Sequence, residues 1–142
     1  MWKPALALAL VFGLLPVGAA EARTLRFQAR LTGAAEEPPV RTRASGHAVV
    51  VLDTRRLRLS YTVVYAGLSG GPLEYAHLHD LDNPREAVDA TVIMQPGPSP
   101  IRGAARLTRA LAADLEHGRW YVNLHTRDHE DGEIRGPLVP AP

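Results

Sequence analysis

Polar and apolar positions alternate with a period of two along most of the chain. The alternation is cleanest in "LRLSYTVVYAGL", where Leu57, Leu59, Tyr61, Val63 and Tyr65 fall on one face. That pattern predicts a strand with one side against a core. Similar runs begin at Leu25 ("LRFQARLT"), Gly46 ("GHAVVVLDT"), Glu74 ("EYAHLH"), Ala90 ("ATVIMQ"), Ile101 ("IRGAARL"), Trp120 ("WYVNLHT") and Gly132 ("GEIRGPL"). Turn-forming clusters separate them: "EEPPVRTRASG", "GLSGGP", "DLDNPRE" and "QPGPSP". About eight short strands at this spacing predict an all-β domain, an antiparallel Greek-key β-sandwich or small barrel.

One segment departs from the period of two. In "LTRALAADLEHG" Leu107, Leu111 and Leu115 recur every four residues, which predicts one short helix with Thr108 as N-cap and Gly118 as the stop. The capping box is incomplete, because Leu111 stands where Glu or Gln would complete it. No internal repeat and no linker divides the chain.

The first 22 residues follow different rules. Lys3 precedes an unbroken apolar run over residues 5–15, Pro16 and Gly18 break it, and Ala20 and Ala22 supply the small residues of a cleavage site. The run is shorter than the roughly 20 apolar residues that a membrane span requires. The expectation is a secretory signal peptide over residues 1–22, a single domain over residues 23–142, and a protein exported to a periplasm or the extracellular space. The chain has no cysteine, so neither disulfides nor a lipid anchor on cysteine are available to it. With 16 basic and 15 acidic residues the net charge is +1, and the one basic cluster, Arg55, Arg56 and Arg58, reads as a solvated turn and strand edge. A nucleic-acid partner is not expected from this balance, and no membrane span is expected in the mature part.

The candidate chemistry lies on the polar faces of three strands. In "YAHLH" Ala76 and Leu78 point to the core, whereas Tyr75, His77 and His79 point away. In "WYVNLHT" Trp120, Val122 and Leu124 point inward, and Tyr121, Asn123 and His125 outward; "GEIRGPL" separates Ile134 from Glu133 and Arg135. On neighbouring strands, opposed residues lie about 5 Å apart, so imidazoles from two strands can share one ion. His77, His79 and His125 are the proposed metal ligands, and nitrogen donors of this kind suit copper or zinc. His129, Asp80 and Asp82 are candidates for a fourth ligand. Asn123, Glu133 and Arg135 are candidates to orient the imidazoles from behind. The plainer reading of Glu133 and Arg135 is an exposed same-face ion pair of little energetic weight. Protonated imidazole cannot ligate, so affinity is expected to fall near the usual histidine pKa of about 6.5.

These residues also carry a resemblance. "LTGAAEEPPVRTRASG" (Leu31, Gly33, Glu36, Pro38, Pro39, Val40, Thr42), "GLSGGPLEYAHLH" and "GRWYVNLHTRDHEDGEIRGPL" (Tyr121, Asn123, His125, Thr126, Gly132 to Gly136) together resemble the chordin-type (CHRD) domain over nearly all of residues 23–142. The resemblance implies an exported all-β domain and places all three proposed ligands on motif positions. In animals such domains occur as repeats in a secreted antagonist of growth-factor signalling; the resemblance here is to the stand-alone exported versions, and a single such domain is the expectation. The family usually has a Gly-rich turn after His-x-His, and "DLDNPREAVDA" has none. A weaker similarity, by analogy, is to the copper–zinc superoxide dismutases, Greek-key barrels with His-x-His on a strand.

Three functional classes follow. The leading one is an exported copper- or zinc-binding β-domain; the next is an envelope or extracellular interaction module whose loops meet a protein or polysaccharide and whose histidines are structural. Metal-dependent redox catalysis is third, because no nucleophile elbow, paired-carboxylate constellation or phosphate loop accompanies the histidines. The expectation is a binding protein and not an enzyme.

Overall fold

A computed structural model describes residues 22–80 and 92–142. The expected leader up to residue 21, and the loop 81–91 with Asp82, lie outside the described residues. The elements in chain order are β1 (Thr24–Thr32), β2 (Ser45–Asp53), β3 (Arg58–Ala66), β4 (Leu73–Asp80), β5 (Val92–Met94), β6 (Ile101–Arg106), α1 (Arg109–Glu116), β7 (Trp120–Thr126), β8 (His129–Pro137) and β9 (Val139–Pro140). A short 3-10 turn, Gly33–Ala35, follows β1.

The strands form one antiparallel sheet in the order β5-β4-β7-β8-β1-β2-β3-β6, with β9 paired to β1. The end strands β5 and β6 approach each other, so the sheet curls into a nearly closed barrel. The period of two then sorts side chains between the interior and the outer face. Phe27, Val50, Leu59, Leu78, Trp120, Leu124 and Ile134 fill the interior, each at most 2% exposed. Trp120, Val122, Leu124 and Ile134 meet Leu59, Tyr61 and Val63 inside one barrel, the arrangement that alternation predicts.

α1 begins where expected: the Thr108 hydroxyl accepts from the Leu111 N–H, and Ala112 and Leu115 are buried. Gly118 ends it with φ +73, a left-handed conformation that glycine adopts without strain. No helix of the described residues is long and apolar enough to cross a membrane.

Leu57 differs from expectation. It lies in the turn before β3 with φ 50, because the Asp53 carboxylate accepts from the backbone N–H groups of Arg55 and Arg56 and holds the chain in a tight bend. The strand therefore starts at Arg58, and Leu57 reaches the core from the turn. The two-residue strand β9 is a further departure, a segment too short for alternation to reveal.

Glu133 also departs from the expected exposed ion pair with Arg135. It is fully buried, and its carboxylate collects five donors. Oε1 accepts from the Thr42 hydroxyl (2.6 Å), the Ser69 N–H (2.7 Å) and the Ser69 hydroxyl (2.8 Å); Oε2 accepts from the Gly70 N–H (3.0 Å) and the Thr126 hydroxyl (2.9 Å). Gly70 is required for this approach, since a Cβ there would collide with Thr126 Oγ1. Burial pushes the carboxyl up, but the hydrogen bonds from Thr42, Ser69 and Gly70 outweigh it and hold Glu133 at about 2. One carboxylate thus fastens the β3–β4 connection and the segment before β2 to β7 and β8.

Two outcomes are expected. Leu124→Ala should lose about 2–5 kcal/mol in chemical denaturation, because a fully buried leucine leaves a cavity the barrel cannot close. Glu133→Gln should lose about 2–4 kcal/mol at pH 7, since an amide cannot satisfy five donors. The carboxyl sits below its ordinary value of 4.5, so its contribution is complete above that pH and disappears as pH falls towards 2. Denaturation of parent and variant should therefore converge over that window, and a gap that stays constant down to pH 2.5 would contradict the assignment.

Candidate metal centre

β4 and β7 are direct neighbours, in a register that pairs Tyr75 with His125, His77 with Asn123 and His79 with Tyr121. β8 lies on the other side of β7 and pairs Arg135 with Asn123. The three strands with unusual polar faces are therefore adjacent. His77 and His79 stand one pleat apart on β4, and His125 stands diagonally across from His77 on β7. One nitrogen from each of the three lies within 4.8 Å of the others. The rings of His77 and His125 are 4.9 Å apart at their centroids, those of His77 and His79 5.4 Å.

Although this face points away from the barrel interior, it is not open to water. His79, Asn123, His125 and Thr126 are all less than one-tenth exposed. Part of the cover is the β7–β8 hairpin, whose pairing is irregular between Leu124 and Thr126 and brings the Glu130 carbonyl to 2.7 Å from His125 Nδ1. In neutral His125 that nitrogen donates to the carbonyl, which leaves the lone pair on Nε2. His125 Nε2 is buried without a hydrogen-bond partner, and so is His77 Nδ1.

Burial, followed by the charges of His125 and His79, pushes His77 down to about 4. Burial also lowers His125, against the opposing influence of the Glu130 carbonyl and Asp131. Both imidazoles are neutral at pH 7, the state that ligates a metal. Neutral imidazoles at His77 and His125 with buried, unused lone pairs, clustered with His79, fit a transition metal ion.

The surroundings are ordered by stacking. Tyr121 lies parallel to His79 with ring centroids 4.7 Å apart, and the Arg135 guanidinium lies 5.3 Å from the Tyr121 centroid. Arg135 itself donates to the Ala35 carbonyl and pairs with Glu37 at 2.8 Å and Glu36 at 3.7 Å. Its partners are thus acids of the segment after β1, whose spacing from β8 in sequence hides them from any pattern along one strand.

His77, His79 and His125 come together. His129 and Asp80 do not join the group of ligand atoms: His129 opens β8 opposite Thr126, and Asp80 ends β4 as a buried acid opposite Trp120. Asp82 lies outside the described residues. Among the candidates for supporting roles, Asn123 is cross-strand to His77, Arg135 reaches the site through Tyr121, and Glu133 anchors Thr126 beside His125. The Glu130 carbonyl is the one supporting group that side-chain types could not reveal, because it is backbone.

A family model for the CHRD domain matches residues 27–138. Chordin of Danio rerio is 31% identical over 133 residues, which cover 88% of this chain and 14% of chordin. This chain therefore corresponds to a small part of that relative's length. No solved structure matches. The match runs from β1 to the end of β8 and includes all three histidines: the chain belongs to the CHRD domain family.

Proposed function

We propose that this protein is an exported metal-binding domain that holds copper or zinc through His77, His79 and His125. The observation that carries the reading is the convergence of three imidazole nitrogens within 4.8 Å on a buried polar face, with His125 aimed by the Glu130 carbonyl. A buried polar atom without a partner is costly, and an ion satisfies the lone pairs of His77 and His125 together. Three protein ligands leave a fourth position for water or an external ligand. The apolar run and small-residue site at the N-terminus support export.

A second reading rests on the rim of the same site. Tyr75 and Ile93 are large apolar residues that remain more than half exposed, and Ile93 is the cross-strand partner of His77. An interaction module that meets a protein or polysaccharide would use such a rim. The two readings separate on metal dependence: a purely structural cluster leaves stability unchanged by chelator.

Calorimetric titration of the chain with copper and with zinc should give one ion per chain, and His77→Ala and His125→Ala should each weaken binding by about tenfold or more. Undiminished binding in either variant would exclude the cluster. The pH dependence follows from the depressed imidazoles. Affinity should fall not at the 6.5 of a free histidine but lower, towards the value of about 4 for His77, and titrations from pH 7.5 to pH 4 measure this. A midpoint at or above 6.5 would contradict the burial of the site.

A further inference from the structure

A second group of polar atoms, chemically unlike the histidines, gathers where the segment after β1 meets β8. Glu36 ends the 3-10 turn, its N–H bonded to the Gly33 carbonyl, and its side chain turns inward until only 3% of the residue is exposed. Glu36 Oε2 lies 3.7 Å from Arg135 Nε, whereas Oε1 is buried with no hydrogen-bond partner. Asn123, 4% exposed, is in the same condition: Nδ2 donates to the Asp131 carbonyl at 3.3 Å, and Oδ1 has no partner. Both orphaned oxygens belong to side chains that crowd Gly132, where an added Cβ would fall within 3 Å of Glu36 Oε1 and of the Asn123 amide. Gly132 has φ +125, so glycine is needed there both for the backbone and for this approach.

Two acceptors facing the same glycine without a donor call for something positive. The electrostatics agree. A cavity of about 190 Å³ opens beside Glu36 and Gly132, with Asn123 behind the glycine; it is lined by Glu36, Glu37, Asp128, Glu130 and Asp131 together with Gly132 and other residues, none of them Lys or Arg. Burial pushes the Glu36 carboxyl up to about 7; Arg135 opposes the rise, and Asp131 and Glu37 add to it. Arg135, Asp131 and Glu37, with Tyr121 on β7, act electrostatically on Glu36, and Asp128, His129 and Glu130 line the same cavity. A carboxylate whose charge is disfavoured mainly by burial, and further by neighbouring acids, is stabilised by any cation that reaches it.

We propose that this cavity binds a hard divalent cation of the calcium class, with Glu36 Oε1 and Asn123 Oδ1 as its buried acceptors and Asp131 as the carboxylate at its mouth. The donors are all oxygen, which suits calcium and not the nitrogen-preferring ion of the histidine cluster. Calcium takes six to eight oxygens, so waters and the remaining acids of the cavity complete the shell. Asn123 would then separate two sites, because it is cross-strand to His77 on one side and to Arg135 on the other. The inference stands independently of the histidine reading, since no ligand is shared.

The test is calorimetry of the full chain with calcium chloride alone, beside magnesium, at pH 7.5. Calcium should bind at one site per chain. Glu36→Gln, which keeps the shape and removes the charge, should weaken it by at least about tenfold. Asp131→Asn, an exposed position that leaves the fold untouched, should weaken it less, and His77→Ala should leave it unchanged. If Glu36→Gln fails to fold by circular dichroism, Asp131→Asn decides. The proposal is overturned if the parent chain binds no calcium, if Glu36→Gln or, in its place, Asp131→Asn binds as tightly as the parent, or if His77→Ala abolishes binding.

Discussion

The carboxylate of Glu133 is the interaction on which the outer face of the barrel depends. Burying a charge is costly unless its lone pairs are filled, and here five donors from four residues fill them. The donors come from three different parts of the chain, so satisfying one charge draws the segment before β2, the β3–β4 connection and β7 onto β8. Once these are in place the polar face of β4, β7 and β8 can no longer be a water-exposed surface. It becomes an enclosed layer, with its own requirement that every polar group find a partner.

That requirement is unevenly met, and the unevenness marks the chemistry. Around Glu133 every lone pair has a donor. Elsewhere around β4, β7 and β8, His77 Nδ1 and His125 Nε2 have none, and neither do Glu36 Oε1 and Asn123 Oδ1. A fold able to supply five hydrogen bonds to one carboxylate leaves these atoms open at two places. The places differ in chemistry: imidazole nitrogen at one, carboxylate and amide oxygen at the other. The rigid setting is shared, because Thr126, held by Glu133, is adjacent to His125, and Glu133 is adjacent to Gly132.

Much of this was legible along the chain, and the reasons are specific. Strand alternation needs only local sequence, so the inward set of Trp120, Val122, Leu124 and Ile134 and the outward set of His77, His79 and His125 follow from period alone. The helix cap at Thr108 is also local. Glu133 was not legible. A charged residue at an alternate strand position reads as solvent-exposed, and its donors Thr42, Ser69 and Gly70 lie 91, 64 and 63 residues away. Arg135 was misread for the same reason, because its acids, Glu36 and Glu37, are about a hundred residues earlier. Leu57 failed on a subtler point: the Asp53 side chain competes for the backbone and turns it before the apolar alternation has begun.

The class of fold, the strand faces and the three histidines on one side of their strands are therefore local properties, set by spacing within a few residues. Long-range pairing alone places β4 beside β7 in a register that brings His77 to His125, buries the polar face, and returns Glu36 to sit over Gly132. Those facts depend on which strands pair and which loops fold over them, and the free energy that selects the pairing is distributed over the nearly closed barrel and its buried carboxylate, not over any one segment.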